Sequence, residues 1–486
     1  MKIAVIGSGI GGLAVASRLA AKGHDVTVFE KNAQVGGKIG EIYFNGYRFD
    51  TGPSLLTLPE LVEELYFTSG EDSKQSISFK KMNILCKYFF AEGESLIAYS
   101  DREKFIKECK LKFGEKPDNI KKYLVRASLI YKLTSEIFIF NSLHKIKNYL
   151  KFSVLKSLLQ VHKIRFYKTI HNENSSIFDT QSMIQLFDRY ATYNGSNPYK
   201  APATLNVIAH LENNMGAYFP EKGMYSIVKS IYQLAEKKGV KFIFNALVSE
   251  IVIINKRAVG IIVDKKEIPF DKVVANTDVK YLAKNMMKHP LSNRLKRLEP
   301  SSSALVFFWG INRKFPELDV HNILFSGNYK EEFRKLFTEK TIYRDPTVYL
   351  FISSKIVKND APLNKENWFV MINAPSVVNQ NWEDLIERSR KNIINKINST
   401  LNIDIENYIE FEKISSPLTI QEKTLSLGGA LYGNSSNSKF SAFLRHPNFL
   451  TNIKSLYFVG GSVHPGGGIP LCLASAEIVD NEIPAT

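Results

Sequence analysis

The chain has 486 residues, of which 44% are hydrophobic and 23% charged, the composition of an ordinary globular protein long enough for two or three domains. Its formal net charge of +16 indicates an anionic partner, either a membrane surface or nucleic acid, or serves solubility alone. The three cysteines are widely separated and lack metal-ligand spacing, which argues against a metal and predicts reduced thiols in the cytoplasm. No apolar run reaches the ~18–20 residues of a membrane-spanning helix.

The stretch from Lys2 to Glu30 predicts a strand, a glycine turn, a helix and a second strand that ends in an acid. Gly7, Gly9 and Gly12 give the G-x-G-x-x-G spacing directly after the first strand. Glu30 lies where an acid that binds a ribose is expected. The glycines allow a tight turn, the close approach of a pyrophosphate and close packing of helix on strand. Together these features predict a dinucleotide-binding unit.

The helix of this unit begins at the glycine turn, so its free N–H groups and positive dipole end face the phosphates of a nucleotide. A competing interpretation is a secretory signal cleaved near Ala21. Cleavage there would remove the strand, turn and helix that Glu30 serves, and we reject this interpretation.

In the middle of the chain, β-rich runs alternate with helical segments, without a tandem repeat or a low-complexity linker. Alternation of apolar and polar residues, together with glycine turns, predicts strands and helices along most of this region. The predicted strand regions are 42–50 (with a turn at Gly46), 76–99 (with a turn at Glu92-Gly93), 241–244, 248–255, 258–264, 272–275, 304–311, 321–326, 348–353 and 368–372. One predicted helix ends at Lys238, and another spans 382–400. Because no linker separates them, the domains are expected to interleave.

The segment from Lys121 to His171 is strongly basic, with eleven Lys and Arg residues and one acid, Glu136. Bulky apolar residues recur at helical spacing, which predicts two or three amphipathic helices. A basic amphipathic helix is typical of a segment that lies in a membrane interface. The alternative is a helical subdomain whose basic face is only solvated. Nucleic acid is not expected, because no recognition motif accompanies the charge.

A second glycine cluster, from Leu456 to Pro470, closes the chain. A buried strand leads into a glycine loop and then into a helix over about 470–479, and Pro470 suits its first turn. This helix N-terminus also favours an electron-rich group. The simpler interpretation is one extended cofactor that both ends of the chain contact, and the alternative is one nucleotide site for each glycine loop.

With these motifs in place, the chain resembles the bacterial phytoene desaturase-type carotenoid desaturases, FAD proteins of the wider amine-oxidase-like flavoprotein class. The resemblance covers essentially the whole chain. Its further motifs are Val35-Gly36-Gly37-Lys38, Phe49-Asp50-Thr51-Gly52-Pro53, Gly195-Ser196-Asn197-Pro198, Tyr218-Phe219-Pro220 with Gly223-Met224, and Phe443-Leu444-Arg445-His446-Pro447. The stretches from Arg189 to Pro198 and from Ser301 to Leu305 are most similar to the 1-hydroxycarotenoid 3,4-desaturase branch found in flavobacteria.

The resemblance implies an α/β fold in which a Rossmann-like FAD-binding domain of the glutathione-reductase/amine-oxidase type interleaves with a mixed-sheet substrate domain and a helical, membrane-facing subdomain. The expected segments are 1–75, 205–278 and 425–486 for the FAD-binding domain, 76–110 and 279–424 for the substrate domain, and 111–204 for a basic helical lid.

The resemblance also implies that FAD is the cofactor and assigns residues to its parts. The glycines of the fingerprint and Gly461 meet the pyrophosphate, Glu30 binds the adenosine ribose, and Lys38 lies near ribose or phosphate. Val248 binds adenine through its backbone, and Ile469 with the helix start faces the flavin pyrimidine, where a positive helix end favours hydride uptake at N5. The remaining expected FAD-binding residues are Ser8, Ile10, Gly11, Lys31, Gly37, Pro53, Ser54, Gly460, Gly468 and Pro470.

The chain departs from the family pattern after the Ile-Pro pair, where Leu471-Cys472 stands in place of a frequent glycine. A covalent link from Cys472 to the flavin is one interpretation, and a buried, unreactive thiol is the favoured one. His464 is the first candidate for a general base, followed by Asp188 and Arg189. The structural alternatives are a loop histidine bound to the backbone and an ion pair between Asp188 and Arg189.

The resulting expectation is an FAD-dependent desaturase of an acyclic carotenoid that forms the 3,4 double bond of a 1-hydroxylated end and lies peripherally on the inner membrane. Its electron acceptor would be quinone or oxygen, because no second dinucleotide fingerprint is visible. The alternatives are a multi-step phytoene-type desaturase, a carotenoid isomerase, an amine oxidase, or a non-catalytic prenyl carrier similar to the GDP-dissociation inhibitors.

Overall fold

The computed structural model describes residues 1–142, 145, 160, 164–287, 295, 297–438 and 445–486. Its strands are β1 Lys2–Ile6, β2 Asp25–Phe29, β3 Glu41–Phe44, β4 Tyr47–Asp50, β5 Phe79–Lys81, β6 Ile84–Phe89, β7 Ser95–Tyr99, β8 Tyr218–Pro220, β9 Lys241–Ile243, β10 Val248–Ile254, β11 Arg257–Val263, β12 Lys266–Pro269, β13 Lys272–Ala275, β14 Ser303–Ile311, β15 His321–Leu324, β16 Val348–Phe351, β17 Glu366–Ala374, β18 Ile409–Ser415 and β19 Leu456–Phe458. Its α-helices are Ile10–Ala21, Glu60–Thr68, Arg102–Phe113, Pro117–Phe138, Ile170–Ser175, Gln181–Asp188, Val207–His210, Tyr225–Lys237, Val279–Asn285, Tyr329–Arg334, Trp382–Leu401, Pro417–Thr424 and Ile469–Asp480.

A five-stranded parallel sheet, in the order β19-β13-β1-β2-β9, forms the first layer. Side chains of a strand alternate between the two faces of a sheet. Ile3 and Val5 of β1 accordingly pack into the core that contains the helices Ile10–Ala21 and Ile469–Asp480. Ala4 and Ile6 pack into the opposite core, which contains residues of β10 and β11. Because both faces of β1 pack into a core, its side chains must be apolar on both sides.

A seven-stranded sheet, in the order β18-β14-β17-β16-β15-β6-β7, forms the second unit. The β15–β6 pair is parallel and the other pairs are antiparallel. Leu305, Phe307 and Trp309 of β14 pack into a core shared with the helix Trp382–Leu401. Their neighbours Ala304, Val306 and Phe308 point to the other face. The period of two in β14 thus separates a structural face from a face that is free for a ligand.

The order of strands in the two sheets confirms the predicted α/β class and the interleaving of units along the chain. β1, β13 and β19 come from three distant parts of the sequence and are neighbours in one sheet. β6 and β7 likewise join the strands of 303–415. The segment boundaries expected for the domains stay a prediction. The predicted secondary-structure elements occur with shifts of a few residues at their ends.

The described part of the basic segment begins with the helix Pro117–Phe138. Most of its bulky apolar residues pack against the protein, including Tyr123, Leu124 and Ile130, whereas Val125 is exposed. Lys121, Lys122 and Lys132 are also exposed, so the helix presents a basic face to solvent. The further helices expected up to His171 fall largely outside the described residues. Within the described residues, no helix combines the length and the apolar character needed to span a bilayer.

Candidate functional site

A cavity of about 890 Å³ joins the carboxyl ends of the parallel strands to one face of the seven-stranded sheet. Its lining falls into two parts. The nucleotide-binding region comprises the loops that follow β1, β2, β13 and β19, and the sheet face comprises the cavity-lining side chains of β14 to β17. In parallel α/β sheets, ligands bind at the carboxyl ends of the strands. The topology therefore places a ligand site where the sequence predicts a dinucleotide.

The first glycine loop is built around close main-chain contacts. Gly7 has φ +93° and its N–H donates to the carbonyl oxygen of Phe29 at 2.8 Å. A Cβ atom on Gly12 would overlap the carbonyl oxygen of Gly7, so no larger residue fits there. The helix that follows, Ile10–Ala21, has Gly9 as its N-cap and no side-chain cap. Its first-turn N–H groups are consequently open to an anion.

Asn276, at the end of β13, lies between the two glycine loops. Its Nδ2 donates to the carbonyl oxygen of Gly7 at 3.4 Å, and a Cβ atom on Gly460 would overlap its Oδ1. A Cβ atom on Gly11 would lie 3.0 Å from the Cα of Gly460. The loops after β1 and β19 are therefore in direct contact. This geometry supports the interpretation that both ends of the chain contact one cofactor.

Glu30 is held at the end of β2 by hydrogen bonds. One carboxylate oxygen accepts from the backbone N–H and the hydroxyl of Ser8, at 2.9 and 2.7 Å. The other accepts from the backbone N–H and the side-chain amide of Asn32, at 2.9 and 2.8 Å. The side chain is buried and lines the cavity. An oriented carboxylate beside the glycine loop suits the two hydroxyls of a ribose.

The second helix N-terminus belongs to Ile469–Asp480, whose N-cap Gly468 has φ +107° and whose first turn holds neither a side-chain cap nor an acid. Two uncapped helix ends and a glycine-lined surface suit the diphosphate and the pyrimidine ring of FAD. The residues present therefore fit FAD. The loops after β1 and β2 would hold its adenosine diphosphate half, and the helix start at Ile469 would face the ring.

Lys38 follows a pair of glycines and lines the cavity. Its ammonium group donates to the carbonyl oxygens of Ala430 and Leu431, at 2.8 and 2.7 Å. Burial lowers its pKa, against the opposing effect of Asp278. Lys38 thus ties the loop after β2 to the segment before the second glycine cluster, and it is directed at protein carbonyls.

Most of the residues expected to bind FAD line the same cavity. They are Gly7, Ser8, Gly9, Ile10, Gly11, Glu30, Lys31, Gly37, Lys38, Pro53, Ser54, Val248, Gly461, Gly468, Ile469 and Pro470. Gly12 and Gly460 lie behind this surface, where they allow the close contacts with Gly7 and Asn276. The structure thus brings the expected residues together, and their individual roles toward FAD stay predictions.

The sheet face is largely apolar. Ala304, Val306 and Phe308 of β14 and Phe369 and Met371 of β17 line the cavity in register. Phe308 and Phe369 are in edge-to-face contact, with ring centroids 5.5 Å apart. Such a surface binds a hydrocarbon through the apolar area removed from water, at about 25 cal/mol per Å².

The three candidates for a general base have different surroundings. Asp188 does not line the cavity, and its carboxylate is bound by His171 at 2.7 Å and Asn174 at 2.8 Å. Burial raises the pKa of Asp188. His464 lines the cavity, and its Nε2 lies 2.9 Å from the carbonyl oxygen of Asn141. That contact is the backbone-bound arrangement named above as the structural alternative for His464.

The structural alternative of an ion pair between Asp188 and Arg189 is not found, because Asp188 pairs with His171 and Arg189 pairs with Glu212. Arg189 lines the cavity and donates to Glu212 at 2.8 Å and to the hydroxyl of Tyr193 at 3.2 Å. The rings of Tyr88, Tyr190 and Tyr193 lie 4.5–5.4 Å from its guanidinium carbon. Both Tyr190 and Tyr193 also donate to Glu212. A guanidinium so enclosed is a fixed positive charge and a poor proton acceptor.

Cys472 lies in the first turn of the helix Ile469–Asp480 and lines the cavity. Burial raises the pKa of its thiol to about 11, against the opposing charges of Lys38 and Arg445. A protonated thiol is a weak nucleophile. This environment supports the favoured interpretation of an unreactive thiol over a covalent flavin link.

Several residues at the site were not assigned to it from the sequence. Asn276, Thr277 and Asp278 line the cavity at the end of β13. The rule that ligands lie at the carboxyl ends of parallel strands could have found them. Arg445 donates to the carbonyl oxygens of Tyr432 and Gly461, at 2.9 and 3.2 Å, and no local pattern reveals these contacts.

Three polar residues on and beside the sheet face were missed as a group, because they lie far apart in the sequence. The hydroxyls of Ser54 and Tyr349 are 2.6 Å apart, and the Tyr349 hydroxyl is 2.8 Å from Nδ1 of His321. Burial, followed by the charge of Arg189, lowers the pKa of His321 to about 3. The imidazole is therefore neutral at physiological pH.

Comparison with known proteins agrees with this geometry. Residues 10–477 match the family described as flavin containing amine oxidoreductase. The chain is 46% identical over 486 residues to a 1-hydroxycarotenoid 3,4-desaturase of Flavobacterium sp. (strain P99-3), covering 100% of this chain and 99% of that protein. It is 28% identical to a phytoene desaturase of Fusarium fujikuroi, covering 99% and 89%.

Solved structures share the fold at low identity. An oxidoreductase from Methanosarcina mazei superposes with a TM-score of 0.62 at 17% identity, covering 99% of this chain and 100% of that one. A putrescine oxidase variant superposes with a TM-score of 0.65 at 11% identity, covering 99% and 98%. FAD is the cofactor of this fold, and the chain is an FAD-dependent oxidoreductase. The chain belongs to the flavin-containing amine oxidoreductases and, within them, to the phytoene desaturase-type carotenoid desaturases.

Proposed function

We propose that the protein forms the C3–C4 double bond of an acyclic carotenoid that carries a hydroxyl group at C1. The observation that carries this proposal is the 46% identity, over the full length of both chains, to the flavobacterial 1-hydroxycarotenoid 3,4-desaturase. The cavity supports it, because one continuous space connects the nucleotide-binding region to an apolar sheet face suited to a polyene.

The reaction removes two hydrogens from a saturated C–C bond next to the polyene. FAD, when bound, accepts one of them as a hydride at N5. The protein contributes orientation and exclusion of water. Phe308, Phe369 and Met371 bind the hydrocarbon, and the uncapped N-terminus of Ile469–Asp480 faces the ring end of the cofactor site.

The second hydrogen leaves as a proton. Within the described residues, we assign no strong base to the sheet face, because His321 is neutral with a lowered pKa and Arg189 is a cation. His464 stays a candidate, with its Nε2 beside the carbonyl oxygen of Asn141. The proton can pass to this histidine or to water.

The proposal is tested by incubating the purified holoenzyme anaerobically, in liposomes, with a 1-hydroxylated acyclic carotenoid or with phytoene. The enzyme is in molar excess over the carotenoid, so that one oxidised flavin is present for each bond desaturated. A red shift of the polyene absorption by one conjugated bond, with the hydroxylated substrate alone, is the expected result. A stepwise shift with phytoene would reassign the protein to multi-step desaturation, in line with its weaker similarity to the Fusarium enzyme. No shift with either substrate would contradict carotenoid desaturation.

We also propose that the protein binds anionic membranes peripherally, through the helices Arg102–Phe113 and Pro117–Phe138. These helices carry several exposed lysines and two exposed apolar residues, Leu111 at 74% and Val125 at 61% exposure. A basic surface with apolar contacts is typical of interfacial binding. A carotenoid dissolved in the bilayer could then reach the cavity without crossing water.

Cosedimentation with vesicles tests this surface. Binding to vesicles of anionic lipid, and its loss with zwitterionic lipid or at high salt, is expected. Reversing the charge of Lys107, Lys110 and Lys112 should weaken binding, whereas reversal of Lys391, exposed on Trp382–Leu401, should leave it unchanged. Equal binding by both variants would contradict the assigned surface.

The electron acceptor is proposed to be quinone or oxygen. Reoxidation of the substrate-reduced enzyme, followed by flavin absorption, distinguishes the two. Rapid recovery with a soluble quinone under anaerobic conditions identifies quinone, and recovery on admission of air alone identifies oxygen. Recovery only with a nicotinamide nucleotide would contradict both.

A further inference from the structure

Ser54, Tyr349 and His321 form a chain of hydrogen-bonding side chains at the cavity, hereafter the hydroxyl chain. Ser54 follows the Gly52-Pro53 turn, His321 opens β15 and Tyr349 lies on β16. The Ser54–Tyr349 distance is 2.6 Å and the Tyr349–His321 distance is 2.8 Å. All three residues line the cavity. None of them is adjacent in sequence to another, so the fold alone assembles the group.

The hydroxyl chain has unused hydrogen-bonding capacity. A serine hydroxyl can donate one hydrogen bond and accept two, and Ser54 makes one with the described residues. At the other end, Nε2 of His321 is buried and has no hydrogen-bond partner among the described residues. Leaving a buried polar atom without a hydrogen bond is unfavourable. Ser54 and Tyr349 are partly accessible from the cavity, so a polar ligand group can join the chain there.

The sheet neighbours of the hydroxyl chain are apolar, and Arg189, whose charge acts on His321, is a charged group of the same cavity. Tyr349 is paired in the sheet with Ile323 on one side and Met371 on the other, and all three line the cavity. The ring of His321 stacks on that of Phe351, with centroids 5.2 Å apart. A polar group that entered this region without a hydrogen bond would be unfavourable. The chain is therefore a localised polar site on a surface that otherwise suits a hydrocarbon.

A hydroxyl group matches this site better than a charged group does. His321 is neutral, so one ring nitrogen carries a hydrogen and the other accepts. The direction of the hydrogen bonds along the chain can be reversed, and a hydroxyl both donates and accepts. An alcohol therefore complements either arrangement, whereas a carboxylate only accepts and an ammonium only donates.

The position of the hydroxyl chain also fits the reaction under "Proposed function", on which this inference rests. In a 1-hydroxycarotenoid the oxygen is separated from C3 by three single bonds of ~1.5 Å each. Its binding site must accordingly lie close to the reacting bond. Ser54 belongs to the segment that packs on Lys38, where a Cβ atom on Gly52 would lie 2.7 Å from the Lys38 carbonyl oxygen. Lys38 itself lines the nucleotide-binding region.

We propose that Ser54 and Tyr349 bind the C1 hydroxyl of the substrate, with His321 as the positioning residue that orients the Tyr349 hydroxyl. This contact sets which end of the polyene enters the cavity and places the C3–C4 bond beside the cofactor. A site built to hydrogen-bond a substrate hydroxyl disfavours an analogue that lacks it, because the site's own polar groups then lose their partner.

The test compares binding of two carotenoids that differ only in the C1 hydroxyl, measured with the holoenzyme from the quenching of flavin emission. The wild type should bind the hydroxylated carotenoid about 10- to 100-fold more tightly. Tyr349→Phe should remove most of this preference and leave the affinity for the non-hydroxylated carotenoid unchanged. Ser54→Ala should also reduce the preference, compared at equal flavin content because Ser54 is among the residues expected to bind FAD. Tyr408→Phe, which removes a hydroxyl bonded to Arg313 at the surface, should keep the preference.

His321→Phe separates positioning from packing, because it keeps an aromatic ring against Phe351 and removes the contact with Tyr349. A reduced preference for the hydroxylated carotenoid, with flavin content unchanged, is expected. Retention of the full preference in Tyr349→Phe and Ser54→Ala would overturn the inference, as would a wild type without preference. If the wild type fails to desaturate the hydroxylated carotenoid at all, the proposed function itself is wrong, whatever the binding data show.

Discussion

The nucleotide-binding region and the sheet face line one cavity but are built in different ways. The first uses main-chain groups and the absence of side chains, as at Gly7 and Gly12. The second uses the side chains of strands that lie far apart in sequence, such as Phe308 and Phe369. A phosphate requires N–H groups at fixed positions, whereas a polyene requires apolar area. The two regions should therefore respond differently to substitution.

The largest expected effect is on the glycine loop. In Gly12→Val the new side chain would overlap the Gly7 carbonyl oxygen, so the turn cannot form and FAD should be absent from the purified protein. Flavin absorption per protein measures this. Gly327→Ala is the matched control, because its Cβ would make an ordinary contact with Ala91 at 3.4 Å. Full flavin content in Gly12→Val would contradict the assignment of this loop.

A smaller effect is expected for Glu30→Ala, which leaves the loop backbone intact and removes the carboxylate held by Ser8 and Asn32. Hydrogen bonds to a charged group are worth about 1.5–3 kcal/mol, so FAD affinity should fall about 10- to 100-fold. Titration of the apoprotein with FAD measures the Kd. Glu267→Ala, at an exposed position of β12, should leave the Kd unchanged.

Phe307 and Phe308 are adjacent on β14 but point to opposite faces of the sheet, so substituting each one tests a different face. Phe308→Leu removes ring contacts with Phe49 and Phe369 at the cavity, and KM for the carotenoid should rise by about 10-fold while FAD binding stays unchanged. Phe307→Leu alters the opposite core and should lower Tm with KM unchanged. Equal changes in KM for the two variants would contradict the assigned faces.

The smallest effect is expected at Cys472, where the two regions meet. Its raised pKa, about 11, means that the thiolate forms only in strongly alkaline solution, so alkylation by iodoacetamide near neutral pH should be slow. Acid denaturation should release the flavin from the protein. Flavin that stays attached to the peptide containing Cys472, detected by mass spectrometry, would show that the thiol is a covalent attachment site.

The sequence by itself determined the nucleotide-binding region. The glycines at 7, 9 and 12, Glu30 and the block from 456 to 470 are local patterns, because each turn and helix start is specified by a few consecutive residues. The β-rich run over 304–311 likewise predicted a strand. These features predicted a dinucleotide-binding unit in an interleaved chain, and the family resemblance added FAD and the α/β fold.

Only the tertiary structure decided which side chains share the cavity. It separated Asp188 from Arg189, joined the two glycine loops through Asn276, and brought Ser54, His321 and Tyr349 together. The physical reason is that such contacts depend on the order and register of strands from distant segments. No local pattern encodes that order, so the hydrogen bonds of a hydrocarbon site become visible only once the sheet is assembled.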